Sequence, residues 1–309
     1  MKYVEFINSA IKAKVSQEDG IALFGQNISA GSCLSGLTRN LKLKEGSLIV
    51  NTPNCENSLC GIGFGLMISG VNSIFFMKQQ DFLLLGIDQL VNTYNFIRHK
   101  EINTSFTIMA IIVDSGYEGP QSCLNSFADF CSIARVPGFA ITNKADAEQI
   151  INSQLVAPGF RLLGVSQRLF KTEIIELPVV SVNQDRSIFQ YSSGKDATIV
   201  CFNFSLPYGV ELNERLKKKG LEPSLFSVNA LTPVKWDRIV EDLGHTKNLV
   251  VIDDCKSVHC SRDNFLMNVY ETCKLERKII IKRDLSADLV SPGPDRLEIN
   301  YDEVVAHLI

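Results

Sequence analysis

Nowhere in its 309 residues does the chain carry the ~20 continuous apolar residues that a membrane-spanning helix requires. It also lacks a charge bias: 31 Lys and Arg stand against 34 Asp and Glu, a net charge of −3. Nothing in that balance provides an electrostatic footprint for nucleic acid or an anionic membrane. Glycine and proline are present at ordinary levels, 20 and 10, and 45% of residues are hydrophobic, which excludes collagen-like, disordered and low-complexity classes. The opening MKYVEFINSAIKAKVSQED has no apolar core of the kind a signal peptide needs. Nine cysteines, an odd number at irregular spacing, point to reduced thiols. The expectation is a cytoplasmic α/β protein, an enzyme or enzyme subunit, long enough for two domains.

Apolar, β-rich runs alternate with helical patterns. Val4, Ile7, Ile11 and Val15 mark one face of a first helix. Strands are expected at Ile21–Phe24, Ser47–Asn51, Ser73–Met77, Thr107–Val113, Phe139–Thr142 and Phe160–Val165, with helices at Leu83–Arg98 and Ala145–Asn152. Strands alternating with helices imply parallel sheets covered on both faces. The polar stretch after Phe170 is read as a junction, placing domains at residues 1–180 and 190–309. A second βα series follows, with strands at Thr198–Asn203, Ser224–Val228, Asn248–Ile252 and Lys278–Lys282 and a last helix at Tyr301–Leu308. Between them the helix Val210–Lys219 ends in cations, with Gly220 as its cap; Lys217 to Lys219 read as a solvated charge run.

The most informative segment is NTPNCENSLCGIGFGLMISG, residues 51–70. A strand ends at Asn51, and Glu56 opens a glycine-rich helix. The G-x-G-x-x-G spacing of a dinucleotide fingerprint is absent. Gly61, Gly65 and Gly70 fall near one helix face, and each costs about 1 kcal/mol relative to Ala. Close approach of another backbone, at a subunit interface or a cofactor cleft, would justify them. Glu56 has two readings: an acid complementing the helix dipole, or a functional carboxylate at the carboxyl end of a parallel sheet, where open α/β sheets bind ligands.

This segment resembles the T-P-x-x-E helix of the beta subunit of 2-oxo acid dehydrogenases, the pyrimidine-binding half of thiamine diphosphate enzymes related to transketolase. DFLLLGIDQLVN, GYEGPQSCLNSFADFCSIARVPGFAITNKADAEQ and ALTPVKWDRIVEDLGHTKNLVVIDD resemble later segments of that family in order. The resemblance implies a pyrimidine-binding α/β domain, with a parallel sheet and helices on both faces, followed by a transketolase C-terminal-like α/β domain. Glu56 would hold the aminopyrimidine ring of thiamine diphosphate by a short hydrogen bond to a ring nitrogen. That role suits an apolar site that raises the carboxyl pKa. Leu59 and Ile62 would supply apolar walls, and Phe82 would stack on the ring, with Gln80 and Asp81 at the cleft rim. Ordinary core remains the other reading of Phe82.

Two departures from the family follow. The G-D-G…N element that carries Mg²⁺ and diphosphate is absent, which implies an alpha-type partner chain holding both and an alpha2beta2 heterotetramer. The loop histidine is also missing, since none lies between His99 and His245. Gln121 and Asn125 stand in that region and hydrogen-bond without serving as acid or base. The implied function is a beta-type subunit of a 2-oxo acid dehydrogenase or decarboxylase component. The alternatives are a split transketolase-like ketol transferase, or a non-catalytic interaction subunit. Cys255, His259 and Cys260 hint at zinc, but four ligands are wanted, so a strand end and loop is preferred and no metal site is assigned.

Overall fold

The structure is a computed structural model that describes residues 1–232, 234–257, 261–283 and 296–309. The first half runs α1 (Tyr3–Val15), β1 (Ala22–Gly25), β2 (Leu48–Asn51), α2 (Glu56–Ile68), β3 (Ser73–Met77), α3 (Tyr94–Ile97), β4 (Ser105–Ile112), α4 (Phe127–Ala134), β5 (Gly138–Ile141), α5 (Lys144–Gln154) and β6 (Gly159–Ser166). The second half continues with β7 (Ser181–Val182), β8 (Ile188–Ser192), β9 (Ala197–Phe202), α6 (Leu206–Lys218), β10 (Pro223–Val228) and β11 (Ala230–Thr232). It ends with α7 (Asp237–Thr246), β12 (Asn248–Asp253), α8 (Ser261–Thr272), β13 (Arg277–Lys282) and α9 (Tyr301–Leu308). The expected strands and helices are present to within a few residues, except in the stretch after Phe82.

Two sheets result. The first has the order β11-β5-β6-β4-β3-β1-β2, parallel except for the antiparallel pairing of β11 on β5. Side chains alternate across it. Ile74 and Phe76 pack with Ile7, Ile11 and Ile150 on the α1/α5 face, whereas Phe75 and Met77 pack with Leu59, Phe64 and Phe127 on the α2/α4 face. β4 is buried at every position, its two small polar residues Ser105 and Thr107 included, as suits a central parallel strand rich in apolar residues. The second sheet has the order β13-β12-β9-β10-β8-β7, with β8 and β7 added antiparallel. The stretch read as a polar junction therefore contributes two strands, and β11 crosses from the second half of the chain to close the first sheet.

The expected helix over Leu83–Arg98 is broken. A 3₁₀ turn covers Gln80–Leu85, a π-helical turn covers Gln89–Thr93, and α3 supplies only Tyr94–Ile97. Leu83, Leu90 and Ile97 still reach the core at helical spacing, which is why the pattern reads as one helix. The break comes where Gly86 packs against α2: a Cβ there would lie 2.7 Å from the Cys60 sulfur.

Gly63 is the α2 glycine that space demands, since a Cβ there would sit 2.2 Å from the Phe106 ring. Gly65 and Gly70 have nothing within 4 Å, and Gly61 has only the Gln89 side chain nearby.

Candidate functional site

The carboxyl ends of β1, β2 and β3 open onto a small, narrow cleft lined by Gln26, Pro53, Asn54, Glu56, Leu59, Phe75, Met77, Lys78 and Phe82. Crevices at this edge of an open parallel sheet are where such folds take ligands. Gly25 brings the end of β1 close to β3: its φ is +148°, and a Cβ would collide at 2.2 Å with the Phe76 carbonyl oxygen. Asn51 ties the start of the Thr52-Pro53 turn to Ser29, accepting its N–H at 3.0 Å and donating to its hydroxyl at 2.7 Å.

Glu56 is the first residue of α2 and is 5% exposed. Among the described residues its carboxylate has no hydrogen-bond or ion-pair partner. Its carboxylate faces the cleft, and the positive end of the helix dipole favours a negative charge at this position. Burial, and after it the charge of Glu56, push the neighbouring Cys60 thiol well above its ordinary pKa. Several polar atoms at this sheet edge are buried and unpartnered: Gln26 Oε1, Thr52 Oγ1 and both amide atoms of Gln80. Unsatisfied groups are rare in native interiors and collect where a ligand, water or partner completes the site.

Glu56, Leu59 and Phe82 share the cleft wall, with Leu59 buried and Phe82 half-buried. The structure does not bring Gln80 or Asp81 to the rim, because both are fully buried beneath it. Ile62 turns outward, 51% exposed, so the apolar walls are Leu59, Phe75 and Met77 instead.

Gln121 and Asn125 are structural. Gln121 donates to the Asp81 carbonyl at 3.2 Å. Asn125, at φ +42° and fully buried, donates to the Asp254 carbonyl at 2.9 Å and accepts from Asn203 at 3.1 Å. Sequence reasoning missed two groups. Asp114, Arg168 and Asp254 form a buried charge triad joining the ends of β4, β6 and β12. The loop from Asp114 to Asn125 grips the turn before Phe82 through Glu118 and Ser122. The legible signal was a charged residue within two positions of the end of each buried strand.

The zinc hint at His259 and Cys260 lies outside the described residues. Asp253 and Asp254, the strand end beside them, are buried, Asp253 paired with Arg262 at 2.9 Å. Among the described residues no group of three or more His, Cys, Asp or Glu side chains is placed to hold a metal, no helix is long and apolar enough to cross a membrane, and every cysteine is a free thiol.

Compared with solved structures, the chain superposes with a TM-score of 0.67 on a chain described as split gene transketolase, inactive beta4 tetramer. That match covers 98% of this chain and 96% of the other at 14% identity. It superposes equally well on transketolase from Campylobacter jejuni, at 11% identity, over 91% of this chain and 42% of that one. The fold is transketolase-like. Within that fold the sequence is most informatively compared with beta subunits. It is 23% identical over 325 aligned positions to 2-oxoisovalerate dehydrogenase subunit beta of Bacillus subtilis, covering 99% of this chain and 97% of that one. It is 21% identical to pyruvate dehydrogenase E1 component subunit beta of Rhizobium meliloti, over 81% of this chain and 55% of that protein. No protein-family model matches the sequence.

Proposed function

We propose that this chain is the beta-type subunit of a thiamine diphosphate-dependent 2-oxo acid dehydrogenase or decarboxylase component, active with an alpha-type chain in an alpha2beta2 assembly. Residues 1–180 would form the pyrimidine-binding domain and 190–309 the C-terminal domain, with diphosphate and Mg²⁺ held by the partner. The free thiols suit a reducing compartment such as the cytoplasm. The observation that carries this reading is the largely buried Glu56, whose unpartnered carboxylate faces a cleft beside Phe82.

The residues fit the group. Glu56 supplies a carboxyl oxygen for a ring nitrogen, Phe82 offers a half-buried aromatic face, and Leu59, Phe75 and Met77 keep water from the contact. When bound, thiamine diphosphate supplies the electron sink for breaking a bond next to a carbonyl. Glu56 would hold and return a proton at its carboxyl oxygen. Glu56→Gln, assayed with the partner and cofactor, is expected to lower turnover by about 10²–10⁴-fold while assembly survives. Unchanged turnover would overturn the reading.

The near end-to-end match to the split transketolase chain favours one second reading, the C-terminal subunit of a two-chain ketol transferase. Turnover of a ketose donor but not of a 2-oxo acid would select it. A non-catalytic interaction subunit would assemble with its partner and be indifferent to Glu56→Gln.

A further inference from the structure

The turn that presents Phe82 does not hold itself in place. Gln79, the residue before the 3₁₀ turn, is 9% exposed, and both ends of its amide are taken by the loop opposite. Its Nε2 donates to Glu118 Oε2 at 2.7 Å, and its Oε1 accepts from the Ser122 hydroxyl at 2.7 Å. The other oxygen of Glu118 accepts from Gln167 Nε2 at 2.8 Å, at the end of β6. Two more bonds complete the grip: Gln121 Nε2 to the Asp81 carbonyl at 3.2 Å, and the Leu124 N–H to Asp81 Oδ2 at 3.1 Å. The Phe82 N–H in turn donates to the Gln79 carbonyl at 3.2 Å, so displacement of Gln79 carries to the aromatic ring.

Glu118 is the ionic member of this clamp and is itself exposed. Its carboxylate does not line the Glu56 cleft. A carboxylate receiving two amide donors makes stronger, more directional bonds than a neutral acceptor.

We propose that Glu118 is a positioning residue of the cleft: through Gln79 it fixes the turn that holds Phe82 against the bound ring. This rests on the thiamine diphosphate reading for the identity of the ring, but not for the clamp.

The test is an exchange of partners. Gln79→Glu sets two carboxylates against each other, and Gln79→Glu with Glu118→Gln restores one donor, one acceptor and the Ser122 bond. On the chain alone, hydrogen exchange of amides in residues 80–86 should quicken about tenfold in Gln79→Glu and return to the wild-type rate in the double variant. Exchange of β4 amides should stay unchanged in both, as a control for folding. Wild-type exchange in the single variant, or failure of the double variant to restore it, overturns the clamp. With the partner present, the thiamine diphosphate concentration at half-maximal activity should rise about tenfold in the single variant, with kcat at saturation retained. A fall in kcat at unchanged half-saturation overturns the positioning role. Loss of the thiamine diphosphate reading itself would appear in Glu56→Gln and leave the exchange result standing.

Discussion

Arg168 donates to Asp254 across the gap between the two sheets, and its Nε lies 3.5 Å from Asp114. One cation thereby neutralises carboxylates at the ends of strands that belong to different halves of the chain. It also donates to the Tyr208 hydroxyl at 2.6 Å and to the Phe204 carbonyl at 3.3 Å. Asp254 is further fixed by the Asn203 amide and the Phe204 N–H, each donating at 3.0 Å.

Removing the cation strands two buried anions. Arg168→Met is expected to cost about 3–5 kcal/mol, read as a lower urea midpoint. Arg168→Lys should recover little, because a single ammonium does not span the carboxylates, hydroxyl and carbonyl that a planar fork reaches. Full recovery by Lys would mean that only the charge matters.

A pH dependence follows from the same triad. Burial pushes the Asp114 carboxyl up to about 6, against the pull of Arg168 and of the Ser166 hydroxyl. The unfolded chain releases that proton near pH 4, roughly the ordinary Asp value, so the folded chain alone retains it up to about pH 6. The stabilising contribution is therefore complete below the unfolded pKa and disappears as pH rises through about 6. Asp114→Asn removes the titration, and its urea midpoint should fall less than the wild type's between pH 4 and pH 7. Parallel curves for the two proteins would show that Asp114 does not titrate there.

The glycines of α2 should respond in opposite directions. Gly63→Ala drives a methyl into the Phe106 ring and is expected to cost about 1–3 kcal/mol. Gly65→Ala meets nothing and should raise the stability of the isolated chain by up to about 1 kcal/mol. Thermal melts of both variants decide this. If Gly65→Ala also weakens assembly, that glycine is kept for the approach of another chain.

Phe82 should separate stability from binding. Because the ring is half-buried, Phe82→Ala should cost under about 1.5 kcal/mol in chemical denaturation. In the assembled enzyme it should weaken thiamine diphosphate about 3–10-fold, the usual worth of an aromatic stack. A large loss of stability with unchanged cofactor affinity would return Phe82 to the core.

Much of the fold was legible because its signals are local. The mostly apolar β4 and the capping box of α5, in which Asn143 and Asp146 each bond the other's backbone, need no distant information to be recognised. Glu56, Leu59 and Phe82 were legible as a group through the family resemblance, and the structure sets them on one cleft. Gln80 is drawn inside together with Gln79 and Asp81, and Ile62 turns outward from its helix; a motif records residue types and not the face each one takes. The Glu118 clamp and the charge triad were invisible for another reason. Each joins residues 39 to 86 positions apart, and no periodicity encodes such a meeting.

β11 reaches back from residues 230–232 to pair with β5. During synthesis the outer edge of β5 therefore stays unpaired while roughly another ninety residues are made, and for the last sixty or so of them every other strand of its sheet is already present. An open strand edge of this kind recruits whatever extended chain is nearest. The first sheet is thus finished by the second half of the protein, and severing the chain at residue 190 would yield a fragment prone to pair with its own copies instead of an independent domain.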